Sequence, residues 1–587
     1  MALFTPSQSP AVVVKEVDAT GGVPNVQTST GAIVGNFRWG PVDQRVLISN
    51  EADLIDTFGT PDTTSTIDFH NASYFLRYSN SLQVVRQATT AAKNAHSLTY
   101  KSATTGLGAA GYAKPVINNK AVFDVNTSLD SDGHTFVARY PGALGNSLRV
   151  SICPPGATFS SWAYASAFDG APGSSSIDSA GGGTNTEVHI AVIDKNGDIS
   201  GTKGTVLETF PYVSVASNSV AADGMSNYSK TLINERSEYI YQVAWDSDYN
   251  AALAGSALIS SNQRTYNAGL NTTVNHDFDS GDNSAALGTT EVMAGFNNFD
   301  DIEAVEVDFL IAPGMSSRAD QTTITNDLVV GAVARKDCVA VSSPARSDVV
   351  GVTNEGTVTT NAVATAATFT KSSYLVMDGN YLKVYDKFND QYIQIPAASS
   401  TAGLMAETDR VAAPWFSPAG TRRGQYLGVT SIDYNPNKSR RDTLYKAGIN
   451  PVVNIAGSGV CLFGDKTALQ RPSAFDRINV RRLFLTIERA IAQAAKNVMF
   501  EFNDEFTRAE FVNIIEPVLR DVKARRGITD FRVLADETVN TAEVIDRNEF
   551  IANIYIKPAR SINFVTLNFV AVRTGVAFEE IVGTAGV

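Results

Sequence analysis

The sequence predicts an α+β protein of several domains, with a discontinuous α/β core from its N- and C-terminal parts, β-rich inserted outer domains, and extended terminal arms. Three observations lead to this prediction. The chain has 587 residues, enough for roughly four domains at about 150 residues each. Strand and helix patterns alternate before residue 95 and again after residue 302. The stretch between them is dense in Gly, Ser, Asn and Thr and has only short strand-like runs.

The first 22 residues are predicted to form an arm. Ala11–Val17 is a strand-forming run, and Pro10 and Gly21-Gly22 separate it from any local partner. Because the backbone groups of a strand need hydrogen-bond partners, we expect a distant part of the chain or another chain to supply them. The strand residues of this arm are Val12, Val13, Val14 and Val17.

Residues 23–95 and 302–405 are predicted to form one middle α/β domain. Strands that alternate with helices are typical of such a domain, and Asn50 is placed to cap a short helix that ends before Gly59. The predicted elements are strand 31–37, helices 50–58 and 66–78, strands 82–86 and 305–311, helix 321–335, strand 338–341, and a hairpin of strands 381–385 and 391–395.

Residues 96–301 are predicted to be a β-rich inserted outer region of one or two lobes. Within it, strands 188–193 and 205–210 flank Asp194–Gly197, a turn-forming sequence. This arrangement predicts a β-hairpin.

Residues 406–574 carry the strongest helical periodicity and are predicted to form a C-terminal α/β core domain. Helix 480–497 has an apolar stripe, and helix 504–526 contains Pro517 and stops at Gly527. Strand 531–534 follows, and strands 550–557 and 562–573 are predicted to pair. Residues 575–587 form the second predicted arm, whose strand residues are Phe578, Ile581 and Val582.

Composition narrows the classes of function. The formal net charge is −13, and nucleic-acid binding relies on clustered Lys and Arg, so we expect no nucleic-acid partner. No run of about 18 apolar residues occurs, and the N-terminus lacks a signal-peptide pattern, so we expect no membrane insertion. The three widely spaced cysteines (Cys153, Cys338 and Cys461) indicate reduced, packed thiols. The low share of charged residues, 18%, fits either a partner-covered surface or a β-rich surface of Ser, Thr and Asn.

No pattern for catalysis, cofactor binding or metal binding is found. The five histidines form no HExxH pair. Asp194–Asp198 differs from a calcium loop because Ile199 stands where the turn glycine is needed. Phe463–Thr467 is only superficially similar to a phosphate loop, because Asp465 lies between its glycine and lysine. We therefore expect no enzyme, no catalytic residue, no cofactor and no metal.

One basic segment has two interpretations. From residue 471 to 526 the sequence contains eleven Lys and Arg against eight Asp and Glu, and Lys523, Arg525 and Arg526 crowd a predicted helix end. Cations there complement the helix dipole. They equally suit a docking face for an acidic partner.

Seven segments occur in an order that matches one known family: Ala138–Leu148, Val307–Gly314, Ala413–Gly420, Leu444–Asn450, Phe463–Thr467, Ile478–Leu483 and Phe500–Asp504. With this ordered set the chain resembles the tail sheath proteins of contractile-tailed bacteriophages. The segments are spread over most of the chain and are densest after residue 410.

The resemblance implies a structural subunit that polymerises as stacked six-fold rings around a tail tube. The sheath would contract on a baseplate signal and drive the tube through the host envelope to deliver the genome. In this family the terminal arms add strands to sheets of neighbouring subunits, and the C-terminal domain lies next to the tube, which makes Lys523, Arg525 and Arg526 candidate tube contacts. Further implied partners are tail terminator or neck proteins, and the implied location is the virion, after assembly in the host cytoplasm.

Two alternatives stay open. The sheath of a bacterial contractile injection particle would have a similar sequence. The Ser-, Thr- and Asn-rich middle of the chain suggests instead a carbohydrate-binding or depolymerising virion surface protein. Such a protein would usually contain β-solenoid repeats or an aromatic platform, and neither pattern is found in the sequence.

Overall fold

The computed structural model describes residues 29–98, 114–126, 134–154, 159–173, 187–215, 219–221, 223–243, 273–496 and 498–561. Both predicted arms lie outside these residues, and so does predicted strand 562–573. The strand residues Val12, Val13, Val14, Val17, Phe578, Ile581 and Val582 are therefore outside the described part of the chain.

The described residues contain 21 strands. In chain order they are β1 Gly31–Gly35, β2 Arg45–Ile48, β3 Leu82–Arg86, β4 His96–Leu98, β5 His134–Ala138, β6 Leu148–Cys153, β7 Glu187–Asp194, β8 Thr205–Ser214, β9 Ile240–Gln242, β10 Val274–Asp277, β11 Phe309–Ile311, β12 Val339–Ser342, β13 Leu375–Asp378, β14 Tyr381–Asp386, β15 Gln391–Pro396, β16 Ser431–Ile432, β17 Ile449–Asn450, β18 Val452–Ile455, β19 Gly459–Leu462, β20 Ile528–Leu534 and β21 Asn553–Pro558.

The same residues contain 13 α-helices. They are α1 Glu51–Phe58, α2 Thr66–Leu76, α3 Lys120–Val125, α4 Ser229–Arg236, α5 Thr289–Phe296, α6 Arg318–Arg335, α7 Arg346–Val349, α8 Glu355–Thr368, α9 Ala398–Val411, α10 Lys438–Lys446, α11 Ile478–Lys496, α12 Glu505–Ala524 and α13 Ala542–Asp546.

A seven-stranded sheet forms the centre of the molecule. Its strand order is β17-β13-β12-β11-β1-β3-β2, and all neighbours are parallel except β2 and β3. All five residues of β1 are buried, as is typical of a parallel strand covered on both faces. The sheet thus joins strands from residues 31–86 with strands from residues 309–450.

Helices cover both faces of this central sheet. One apolar core lies under α5, α6, α8 and α10, and includes Phe296, Leu328, Val358 and Leu444. The other lies under α1, α2, α9 and α11, and includes Leu54, Phe75, Met405 and Leu485. This two-layer cover is the arrangement expected of an α/β sheet.

The region between residues 96 and 277 is β-rich, as predicted. It contains a four-stranded antiparallel sheet (β10-β6-β7-β8) and a three-stranded sheet (β4-β5-β9). The predicted pairing of β7 with β8 is confirmed, but the connection is not a tight turn. The buried carboxylate of Asp194 accepts hydrogen bonds from the N–H groups of Gly197, Ile199 and Ser200 and folds a longer loop.

The C-terminal unit, defined here as α11, α12, β20 and β21, has its own apolar core around Leu483, Phe511 and Ile515. The side chain of Asp504 caps α12 by accepting from the N–H of Thr507, and Pro517 lies inside this helix. β21 pairs antiparallel with β20. The predicted pairing with residues 562–573 stays a prediction, as do the domain boundaries at 22, 95, 301, 405 and 574.

Several negative findings concern the described residues alone. None of their helices is long and apolar enough to cross a membrane. They contain no group of three or more His, Cys, Asp or Glu side chains that could hold a metal ion. The three cysteines are buried, and no disulfide joins them.

Candidate assembly surfaces

Among the described residues, the sheet of β20 and β21 is covered on one face only. Phe531, Val533, Ile554 and Ile556 point to the core of the C-terminal unit. On the opposite face Tyr555 is 57% exposed, with exposed polar residues around it. This alternation is typical of an antiparallel sheet with one solvated face.

Both edges of this small sheet are open within the described residues. β20 pairs only with β21 there, and β21 only with β20. The outer edge of each strand therefore presents backbone N–H and C=O groups that an additional strand can pair with. Addition of an extended segment to such an edge is a common mode of protein association.

The predicted basic cluster lies together at the end of α12. The amine of Lys523 is 3.1 Å from a carboxylate oxygen of Asp530. The guanidinium of Arg525 lies 5.1 Å from the ring centroid of Trp415. Arg526 adopts the left-handed conformation (φ 67°) and ends the helix. Two of the three cations thus have contacts within the chain, whereas the described residues give the Arg526 side chain no hydrogen bond or ion pair.

Other arginines of the basic segment point inward and do not contribute to a surface. Arg482 forms a two-bond ion pair with Asp409, at 2.6 and 2.5 Å, and Arg489 pairs with Asp308 at 2.7 Å. Burial raises the pKa of Asp308 to about 6, although Arg489 and the N–H of Thr30 act in the opposite direction. The first pair attaches α11 to α9, and the second attaches it to the residue before β11. The number of positive charges in the sequence segment therefore overestimates its exposed basic surface.

Sequence reasoning missed an exposed apolar loop between α11 and α12. Phe500 is fully exposed, Phe502 is 85% exposed and Phe506 is 77% exposed, with Met499 beside them. Phe506 belongs to the first turn of α12, directly after the loop, and exposed apolar side chains concentrated in this way are typical of an interaction surface. The available signal was the spacing of three phenylalanines among Glu, Asn and Asp residues at a predicted helix boundary.

Sequence comparisons match the chain over its whole length. A family model described as the phage tail sheath C-terminal domain matches residues 470–571, one for the phage tail sheath protein central domain matches 285–468, and one for the tail sheath protein Gp18 domain III N-terminal region matches 28–86. The tail sheath protein of Enterobacteria phage T4 is 32% identical, over 98% of this chain and 99% of the relative. The chain belongs to the phage tail sheath protein family.

A second tail sheath protein, from Vibrio phage KVP40, is 31% identical over 98% of this chain and 99% of its own length. The crystal structure of a sheath tail protein from Listeria innocua aligns with a TM-score of 0.54 at 12% identity, and covers 91% of this chain and 93% of that one. The structural likeness supports a sheath-protein fold. The central and domain III family models together contain all seven strands of the central sheet.

Family membership confirms the resemblance found in the sequence. The chain is a structural protein of contractile phage tails, and its place is the tail sheath of the virion. The β20–β21 sheet and the basic cluster both lie within the part that matches the sheath C-terminal domain.

Proposed function

We propose that this chain polymerises as stacked six-fold rings around a tail tube and contracts to drive the tube through the host envelope for genome delivery. The observation that carries the proposal is the similarity over almost the full length to the tail sheath protein of phage T4. In this proposal the chain acts mechanically and not as an enzyme, and contraction draws on a change in subunit packing.

The proposed links between subunits are the two terminal arms. The β20–β21 sheet supports this idea because, within the described residues, the outer edge of each strand has no partner strand. The predicted pairing with residues 562–573 would use the edge of β21 and leave the edge of β20 for a strand from a neighbour. About five backbone hydrogen bonds at about 1 kcal/mol each would contribute roughly 5 kcal/mol per strand, less the cost of ordering the arm. Strands from neighbours would keep the sheath continuous while the folded parts rotate.

The proposed tube contact is the basic cluster at the end of α12. Arg526 is the best-placed member, since Lys523 and Arg525 already contact Asp530 and Trp415. The tube would offer an acidic surface there. The other proposed partners are the baseplate and the tail terminator or neck proteins, and we propose assembly in the host cytoplasm.

The test is negative-stain microscopy of the purified full-length chain. We expect hollow tubes from the intact chain and only folded monomers after deletion of residues 1–20, since deletion removes the Ala11–Val17 strand. The matched control lacks residues 1–10 only, keeps that strand and should still form tubes. Tubes formed by the larger deletion would contradict the proposed role of the arm. An intact chain that never forms tubes but binds polysaccharide would favour the carbohydrate-binding alternative.

A further inference from the structure

One surface of the molecule combines positive charge with an exposed aromatic ring. Lys438 and Arg441 lie three residues apart on α10 and therefore on the same side of the helix. The guanidinium of Arg441 is 5.6 Å from the ring centroid of Phe463, a residue that is 48% exposed. We call Lys438, Arg441 and Phe463 the basic face. Arg440, next to them, already pairs with Glu355.

A second surface combines negative charge with an apolar groove. The groove has a volume of about 280 Å³ and lies between α5, the short helix Asn297–Phe299 and α6. Phe296, Leu310, Leu328 and Val330 line it, and Val330 is 66% exposed. Asp300 and Asp327 belong to the same lining, and together these residues are called the acidic groove.

Arg335 also lines the acidic groove, but its guanidinium already pairs with Asp337, so it does not balance the charge of Asp300 and Asp327. Residues 289–317 contain six Asp and Glu but no Lys or Arg. Glu303 and Glu306 are exposed, and the described residues give neither them nor Asp300 an ion pair. Burial and the neighbouring Asp300 carboxylate raise the pKa of Asp327. The groove is therefore a site where an incoming cation would be stabilised.

The two surfaces cannot meet within one chain. The basic face belongs to α10, which packs on the edge strand β17, whereas Leu310 of the groove lies in β11, three positions further along the sheet. At about 4.8 Å per strand this separation is roughly 14 Å. Helix α8 packs against both α6 and α10 and stands between them. The complement of each surface must come from another molecule.

We propose that the basic face of one copy docks into the acidic groove of a neighbouring copy, with the Phe463 ring in the groove and Lys438 and Arg441 opposite its carboxylates. The proposal rests on the proposed function and names the surfaces through which copies associate. The groove is large enough for the Phe463 ring, because an apolar cavity of about 150 Å³ already accommodates a benzene ring. Since two different surfaces meet, the contact is head-to-tail, and repetition closes a ring or continues as a helix.

Charge reversal tests the pairing directly. The first variant carries Lys438→Glu and Arg441→Glu, and the second carries Asp300→Lys and Glu303→Lys. Each alone places like charges across the contact, and we expect at least a tenfold loss of pelletable assemblies. A 1:1 mixture of the two variants restores opposite charges at every contact between unlike chains, and a chain with all four substitutions restores them at contacts between identical chains. Both should recover assembly.

The matched control reverses two exposed cations of the β-rich region, Lys203→Glu with Arg236→Glu, and should assemble like the unchanged chain. Melting curves check that every variant is folded. The proposed pairing would be overturned if either single-surface variant assembled normally, or if mixing the two variants did not recover assembly. Sedimentation velocity of the mixture detects heterodimers even when no tubes form. A chain that never polymerises would therefore contradict the proposed function, whereas the heterodimer measurement would still test the pairing of the two surfaces.

Discussion

Asp378, at the end of β13, is a buried carboxylate without a nearby cation in the described structure. The hydroxyl of Ser343 donates to it at 2.8 and 3.0 Å, with a longer bond from Thr401. Burial nevertheless raises its pKa to about 7. Folding therefore favours the protonated form of this side chain.

This shift gives a prediction for stability. Between pH 4 and pH 7 the folded chain holds a proton that the unfolded chain has lost, so Asp378 destabilises the fold increasingly as pH rises. Asp378→Asn removes the titration but keeps an acceptor oxygen. We expect the free energy of unfolding gained by this substitution, relative to the unchanged chain, to be about 3 kcal/mol larger at pH 8 than at pH 5. Thermal unfolding at the two pH values measures the gain.

Asp386 provides the control because its shift has the opposite sign. Burial opposes its ionisation, but hydrogen bonds from Asn389, Thr66 and His70 lower its pKa to about 2. Its stabilising contribution is complete above about pH 4 and lost only as pH falls toward 2. Asp386→Asn should therefore destabilise the chain at both pH values, and more at pH 5 than at pH 8, because the Asp386 carboxylate also raises the pKa of His70, 3.1 Å away. An Asp378→Asn effect that does not become more stabilising from pH 5 to pH 8 would contradict the assigned burial cost.

At the scale of elements, α9 packs against α2, and Gly403 of α9 lies against Tyr78, two residues after the end of α2. A Cβ atom on Gly403 would lie 2.3 Å from a ring carbon of Tyr78. That ring is fixed, since the hydroxyl of Tyr78 accepts a hydrogen bond from the N–H of Leu427 at 2.7 Å. Gly403→Ala should therefore force the helices apart and destabilise the fold by about 1–3 kcal/mol, measured by thermal unfolding.

Gly331 in α6 is the matched control. A Cβ atom there would have its nearest neighbour, Cδ1 of Leu310, at 4.0 Å. Gly331→Ala should therefore stabilise the chain by about 0.5–1 kcal/mol, the ordinary helix preference for alanine. Equal effects of the two substitutions would mean that the Tyr78 contact does not limit the approach of α9.

At the scale of elements, the sequence predicts features that depend on local signals well and features that depend on distant partners poorly. Helix α1 and the hairpin of β14 and β15 depend on local signals, a capping Asn50 and alternating apolar residues, and both are confirmed. β17 has only two residues, and nothing local indicates that it extends the central sheet. The partners of Arg482 and Arg489 are also distant in the sequence, so a charge count cannot distinguish buried ion pairs from a surface.

At the scale of the whole molecule, assembly surfaces are the hardest features to predict. The order of seven short segments indicated the sheath family, which the comparisons confirm, because short segments can be recognised without knowledge of the fold. The exposure of Phe500 and Phe502, and the lack of further partners for β20 and β21 among the described residues, follow only from how the elements pack. The sequence placed the cations at the end of α12, and the fold then distinguishes Arg526 from the engaged Lys523 and Arg525.

The last prediction concerns the contact between sheath and tube. Changing Lys523, Arg525 and Arg526 together to Glu should weaken docking to purified tail tubes at least tenfold, because an acidic tube surface would then face carboxylates. Arg520→Glu is the control, since it reverses an exposed charge on the same helix outside the cluster. Co-sedimentation with tubes measures binding. Melting curves show whether loss of the Arg525–Trp415 contact has destabilised the fold of the triple variant. Because exposed charges are screened by salt, the difference between the triple variant and the unchanged chain should shrink as ionic strength rises. Binding by the triple variant equal to that of the Arg520→Glu control would place the tube contact elsewhere on the chain.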